Sequence, residues 1–255
     1  DVATCDFKEL HPTEGYKKMA ALTLPSYRVE DLDGRPVEAK IEDLGANFEY
    51  DLPKDKFRQA RIARQVRVTI PVHLAPLSWT TFQLLEGEQE HREGIYQNGV
   101  IDTPFVTVSV DDNITVYDKT THEAYEDFIR FEDRGDIGNE YIYFQPKGTE
   151  PIYAELKGYE VLENTARYAK ILLKHELTVP VSADEKLDAE QRGIVEFMKR
   201  EAGRSEELTS LPLETEMTIF VDNPQIRCKT RFTNTAKDHR IRLLVKTHNT
   251  RPSND

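Results

Sequence analysis

Arg167 to Val179 reads as one extended strand of 13 residues, a length that restricts the chain to a large open or two-layer sheet. Shorter runs surround it. Val66-Arg67-Val68-Thr69-Ile70 alternates apolar and polar residues, the pattern of a half-buried antiparallel strand. Val100 to Val110 and Ile114 to Tyr117 read as hairpin partners joined by the turn Asp111-Asp112-Asn113. Further strands are expected at Ala21 to Tyr27, Val37 to Glu42, Phe48 to Leu52, Trp79 to Leu85, Glu214 to Val221, Gln225 to Asn234 and Ile241 to Thr247. Short strands at such spacing point to β-sandwich architecture. The charged stretch Gly87 to Gly94 reads as a linker. It places a small β-sandwich domain at 1–93 and a second, larger all-β domain at 96–255. Ser182-Ala183-Asp184-Glu185 carries a helix-start signature, Ser182 as N-cap with Glu185 three residues on. It predicts a short helix near 184–203.

Composition narrows the function. A formal net charge of -12 across 255 residues argues against nucleic acid, which demands a basic face. No apolar run approaches the length that spans a bilayer, so no membrane partner is expected. The first residues, Asp1, Val2 and Ala3, show neither a signal peptide nor an initiator methionine. The chain therefore reads as a piece of a longer polypeptide, and its polar tail, Asn249 to Asp255, reads as a cut inside the fold. Cys5 and Cys228 are too few for a disulfide scaffold, and a reducing cytoplasm is the expected location. Asn113-Ile114-Thr115 fits the glycosylation acceptor pattern, which such a location does not use. The histidines His11, His73, His91, His122, His175, His239 and His248 are scattered, with no metal-site spacing.

One segment stands apart. Phe131 to Pro146 reads FEDRGDIGNEYIYFQP. Asp133 to Asn139 packs acidic side chains and two glycines into seven residues, the composition of a tight loop. Tyr141 to Phe144 is aromatic and β-branched and predicts a strand start. An acidic loop feeding an aromatic strand can offer carboxylates and a phenol to a polyhydroxylated ligand. Glu132, Asp133, Asp136 and Glu140 suggest a glycosidase pair, yet aspartates in such loops commonly bind nearby backbone amides. Asp133 and Asp136, with Gly135 and Gly138, are accordingly read as ordering the loop.

The segment resembles the Asp-x-Gly-Asp-x-Gly-(Asp/Asn)-x-Tyr stretch in the C-terminal β region of bacterial-type α-mannosidases of glycoside hydrolase family 38. Asn234-Thr235-Ala236-Lys237-Asp238-His239-Arg240-Ile241-Arg242 resembles a second strand of that family, and Asp118-Lys119-Thr120-Thr121 its turn ahead of the acidic loop. The resemblance runs from about Ile101 to Val245 and is looser before residue 95. It implies a galactose-mutarotase-like super-sandwich, truncated here, in a retaining, metal-dependent exo-α-mannosidase. It implies that Tyr141, with Asp136, contacts the sugar. Asn139 stands where close relatives often carry aspartate. Zinc or another divalent metal would sit in the parent's catalytic domain, with no cofactor in this piece. The partners implied are the parent's own catalytic and helical domains and an α-mannoside substrate.

The remaining candidates have plainer readings. Asp238, His239 and Arg240 read as an ion-pair cluster bracing a turn. Trp79, Tyr96, Tyr117, Tyr125 and Tyr143 could form a separate sugar platform, although a core role is favoured for the single tryptophan. No nucleophile elbow, phosphate loop or dinucleotide fingerprint is present, so the piece is expected to be inactive alone. An autonomous carbohydrate-binding module and a structural sandwich for homo-oligomer contacts are the alternatives.

Overall fold

The computed structural model describes residues 1–7, 11–90 and 92–247. His91, His248 and the tail Asn249 to Asp255 lie outside the described residues. The chain divides into two compact units, Asp1–His91 and Arg92–Asp255, and is all-β in class, with antiparallel pairing throughout the described strands.

The first unit contains β1 (Ala3–Asp6), β2 (Tyr27–Asp31), β3 (Pro36–Val37), β4 (Lys40–Asp51), β5 (Gln59–Thr69) and β6 (Phe82–Glu86). They form two sheets ordered β1-β5-β4 and β3-β2-β6. A helix, α1 (Pro12–Ala20), precedes the region where sequence predicts a strand at Ala21 to Tyr27. Its start is chemically sound: Pro12 occupies the first turn, where no N–H is needed, and the His11 side chain accepts from the Thr13 amide at 3.4 Å. Periodicity misses it because its apolar face is only Met19 and Gly15, the helical residues that are buried. Met19 joins Cys5 and Ile62 in a small core. The alternating run Val66 to Ile70 is in β5 up to Thr69, but the buried part of that strand is Ile62 and Ala63. Trp79 is 83% exposed, contrary to the core role expected for it, and lies before β6.

The second unit contains β7 (Tyr96–Gln97), β8 (Val100–Asp102), β9 (Val106–Val110), β10 (Ile114–Asp118), β11 (Glu123–Tyr125), β12 (Arg130–Gly135), β13 (Ile152–Tyr153), β14 (Glu155–Asn164), β15 (Tyr168–Pro180), β16 (Leu208–Phe220), β17 (Ile226–Phe232) and β18 (His239–Leu244). The sheets run β11-β10-β9-β8-β7, β13-β12-β18 and β14-β15-β16-β17. The long run is one strand: β15 pairs with β16 in unbroken register from Tyr168↔Phe220 to Pro180↔Leu208. Burial alternates along it, as the period of two demands of a strand with one face on a core. Ile171, Leu173 and Leu177 from β15 and Leu211, Leu213, Met217 and Ile219 from β16 share one core with Ile101, Val108, Ile114 and Phe131. The inner faces of the three sheets are thus joined by apolar burial, the dominant stabilising term.

The helix expected near 184–203 is shorter. Helix α2 spans Lys186–Arg192 and ends at Gly193, followed by a 3-10 turn at Phe197–Lys199. Ser182 does not cap it. Its hydroxyl donates to the Ala183 carbonyl, whereas Asp184 accepts from the Lys186 amide at 3.0 Å. Cys5 is buried and Cys228 exposed, both as free thiols.

Leu173→Ala should lower unfolding free energy by about 2–5 kcal/mol, since it opens a cavity in a closed core. Phe232→Ala, on an exposed edge strand, should cost less than about 1 kcal/mol. Urea denaturation of the two variants checks the contrast.

Candidate functional site

The segment singled out from sequence is built differently from its reading. Glu132, Asp133 and Gly135 belong to strand β12, not to a loop, and Tyr141 to Phe144 forms no strand. The physical reason is the pairing of β12 with β18, which runs from Arg130↔Leu244 to Gly135↔His239 and satisfies the backbone through Gly135. The loop starts only at Asp136.

Consecutive strand residues face opposite ways, and each of the two acidic residues meets its own cations. Glu132 accepts from Arg134 Nε at 2.8 Å and from Arg242 Nε at 3.0 Å. Burial pushes the Glu132 carboxyl up, but hydrogen bonds from Arg134 and Arg242 outweigh it and bring the pKa down to about 2. Asp133 is fully buried. One oxygen meets His239 Nδ1 and the other Arg204 Nη1. His239 Nε2 lies 3.0 Å from Asn234 Oδ1, the same oxygen that accepts from the Ala236 amide. Both ring nitrogens therefore face acceptor oxygens. Asp133 is thus a buried ion-pair centre rather than a loop-ordering residue.

Loop ordering falls to Asp136 and Asn139. Asp136 Oδ1 accepts from the Gly138 amide at 3.0 Å and the Phe144 amide at 3.2 Å. Asn139 Oδ1 accepts from the Tyr141 and Ile142 amides, each at 2.9 Å. Asn139 thereby has a structural task that needs only a side-chain oxygen, not a charge. Backbone bonds from Ile137 N to Phe144 O (2.8 Å) and Asn139 N to Ile142 O (3.0 Å) fold the loop back on itself. Gly138 is glycine because a Cβ there would sit 1.7 Å from the Ile142 carbonyl oxygen. Gly135 is glycine for a related reason, since a Cβ would reach 2.6 Å from Pro146 Cγ. Underneath, Ile137 is buried with Ala183, Leu187 and Ala202, and Phe144 packs against them.

The β18 side completes the frame. Asp238, at φ +52°, accepts at its carbonyl from the Asp136 amide (2.7 Å) and at its carboxylate from the Ala183 amide (3.0 Å). Arg240 lies 3.4 Å from the Tyr143 ring centroid, a cation–π contact. Arg200 donates to the Ile137 carbonyl. What emerges at the tip is Tyr141, 86% exposed, flanked by the exposed Glu140 and Ile142. Arg200 and Arg204 went unrecognised in the sequence, where nothing marks them among the charged residues of a presumed helix.

The supposed aromatic platform is dispersed. Tyr96 bonds Tyr159, Tyr117 bonds His122, Tyr125 bonds Glu123, and Tyr143 lies under Arg240. Among the described residues no three His, Cys, Asp or Glu side chains gather to hold a metal ion. Asp133 and His239 do not fit one, since they bind each other beside the Arg204 guanidinium.

Asp133→Ala leaves Arg204 and His239 buried without their acceptor and should cost about 3–5 kcal/mol in urea denaturation. Glu132 makes a pH prediction. Its native pKa lies below the ordinary 4.5, so its contribution is complete above about 4.5 and is lost as pH falls through about 2. Glu132→Gln should show a shallower loss of stability than wild type across that window, measured by urea denaturation at stepped pH.

Comparisons with known proteins bear on the whole chain. Residues 1–86 match the family model described as "Glycosyl hydrolases family 38 C-terminal domain 1", which is the part where the motif resemblance was looser. A putative mannosylglycerate hydrolase of Halalkalibacterium halodurans is 31% identical over 241 residues, covering 89% of this chain and 27% of that protein. A crystal structure of an alpha-mannosidase from Enterococcus faecalis superposes with a TM-score of 0.85 at 34% identity, over 96% of this chain and 29% of that one. A second Enterococcus faecalis structure, of a protein in glycosyl hydrolase family 38, gives 0.79 at 29% identity, over 95% and 30%. The chain thus spans under a third of the length of these relatives. No described helix is long and apolar enough to cross a membrane. Residues 1–86 thus match the C-terminal domain 1 of glycoside hydrolase family 38, and nearly the whole chain is similar in sequence and fold to part of the alpha-mannosidase and mannosylglycerate hydrolase relatives.

Proposed function

We propose that this chain is the non-catalytic β region of a retaining, metal-dependent exo-α-mannosidase of the cytoplasm, and that it lends Tyr141 to the sugar pocket of the longer protein. The observation that carries this reading is the exposure of Tyr141 at the tip of a loop whose backbone is held by Asp136, Asn139 and Arg200. A large aromatic side chain held out in water gains nothing within the fold, and a preorganised contact loses little entropy when a ligand arrives. Its phenol can both donate to and accept from a ring hydroxyl. Asp136 has a lesser part, because Oδ1 is committed to two loop amides.

A non-catalytic role is supported by the fate of the acidic pair. Glu132 and Asp133 are buried and ion-paired, so neither is placed to protonate a leaving group or attack an anomeric carbon. In this reading the nucleophile, the general acid and zinc or another divalent metal all belong to the remaining two thirds of the protein. The parent's catalytic and helical domains are then the partners of this region, with an α-mannoside as substrate.

Hydrolysis of an aryl α-mannoside by the full-length parent, wild type against Tyr141→Phe, tests the reading. Loss of one transition-state hydrogen bond should lower kcat/KM by about tenfold with the melting temperature unchanged. Equal kinetics would reduce Tyr141 to a surface residue and this region to scaffold.

A further inference from the structure

A cleft lies at the opposite end of β12 from the Tyr141 loop. Arg130 and Gly135 begin and end that strand, five steps apart, or roughly 17 Å at strand rise. The cleft has a volume of about 270 Å³ and is lined by the 112–113 turn, Asp127, Arg130, Tyr153 and His175 over an apolar floor that includes Ile129 and Leu156. We propose that it is a second binding site, for a neutral polyol the size of one sugar ring. This inference does not rest on the role given to Tyr141.

Three groups in the cleft are incompletely satisfied. The Arg130 guanidinium lies over the Tyr153 ring, 3.7 Å from its centroid, and among the described residues makes no hydrogen bond or ion pair. Its donors are held in place and uncommitted. Asp112 on the exposed turn likewise has no partner among the described residues. His175 is 6% exposed, packs edge-on against Phe131, and has its Nδ1 buried with no hydrogen-bond partner. Such a group normally has a partner in a native fold.

The chemistry of the lining selects the ligand. A divalent cation is disfavoured by the Arg130 guanidinium, and an anion by Asp112 and Asp127, of which only Asp127 has a cation, Lys246 at 3.3 Å. A polyol meets both requirements, because each hydroxyl donates to a carboxylate and accepts from an N–H. Burial holds the His175 pKa down to about 4, so near neutrality the ring is uncharged and adds no charge to the cleft. The apolar floor suits the C–H face of a sugar ring. The volume, just below the roughly 300–1,000 Å³ typical of ligand pockets, admits one ring and excludes an oligosaccharide.

Saturation-transfer NMR on the chain, titrated with methyl α-mannoside and separately with acetate, tests the site. The expected result is millimolar binding of the mannoside and not of acetate. Affinity should persist in Tyr141→Ala and fall about tenfold or more in each of Arg130→Gln, Tyr153→Ala and Asp112→Asn. These three positions are half-buried or exposed, so the fold should survive, with thermal melting as the check. Loss of binding in Tyr141→Ala alone would move the sugar to the loop and overturn the proposal. Binding of acetate in preference to the mannoside would make the cleft an anion site, and no binding of either would leave it a solvent cleft. Both results overturn the proposal.

Discussion

Asp133 is a carboxylate with no solvent access that holds together segments distant in the chain. His239 lies 106 positions away and Arg204 71 positions away, and both converge on it. An isolated buried charge is prohibitively costly, so β12, β18 and the return segment after α2 must all be in place together. A buried ion pair of this kind gives little net stability over a well-packed apolar substitute, yet breaking it is expensive. Its consequence here is positional: it registers β18 against the end of β12, and the loop that leaves β12 at Asp136 inherits that position.

From this anchor the loop is determined by short-range chemistry. Asp238, adjacent to His239, accepts from the Asp136 amide, so the first residue of the loop is tied to the strand that Asp133 registers. Two Asx-type turns, the close approach at Gly138 and the small core beneath Ile137 do the rest. A carboxamide at Asn139 suffices because the turn asks only for an acceptor oxygen. Neighbouring Glu132 shows how differently two adjacent carboxylates can be used. Arginines hold it ionised on the other face of the strand, where it contributes to cohesion between β12 and β18.

Some of this was legible in the sequence. The unbroken run from Arg167 to Val179 is a long strand because nothing in it interrupts pairing, and its alternating burial follows from the pleat. Asp136, Gly138 and Asn139 did mark a tight loop, and the motif with the Asp238-His239-Arg240 strand pointed to the family that the chain resembles. Other elements were misread for identifiable reasons. Tyr141 to Phe144 has the composition of a strand, but no neighbouring strand is available to receive its backbone, so propensity yields to context. Helix α1 has a two-residue buried face, too little for periodicity to reveal. Gly193 ends α2 in the middle of the run that reads as one helix. Trp79 sits in an apolar run and is nevertheless exposed, because burial is decided by what surrounds a side chain and not by its own apolarity.

The sequence by itself determined the all-β class, one of the two longest strands, the acidic turn and the family resemblance, because each rests on local pattern or on residues adjacent in the chain. The tertiary structure alone decided that Asp133 is an ion-pair centre, that Asn139 joins Asp136 in ordering the loop, that Tyr141 is held outward, and that Arg130 and His175 line a separate cleft. These depend on which strands pair and which segments return to them, and contacts between residues a hundred positions apart leave no periodic trace in the chain.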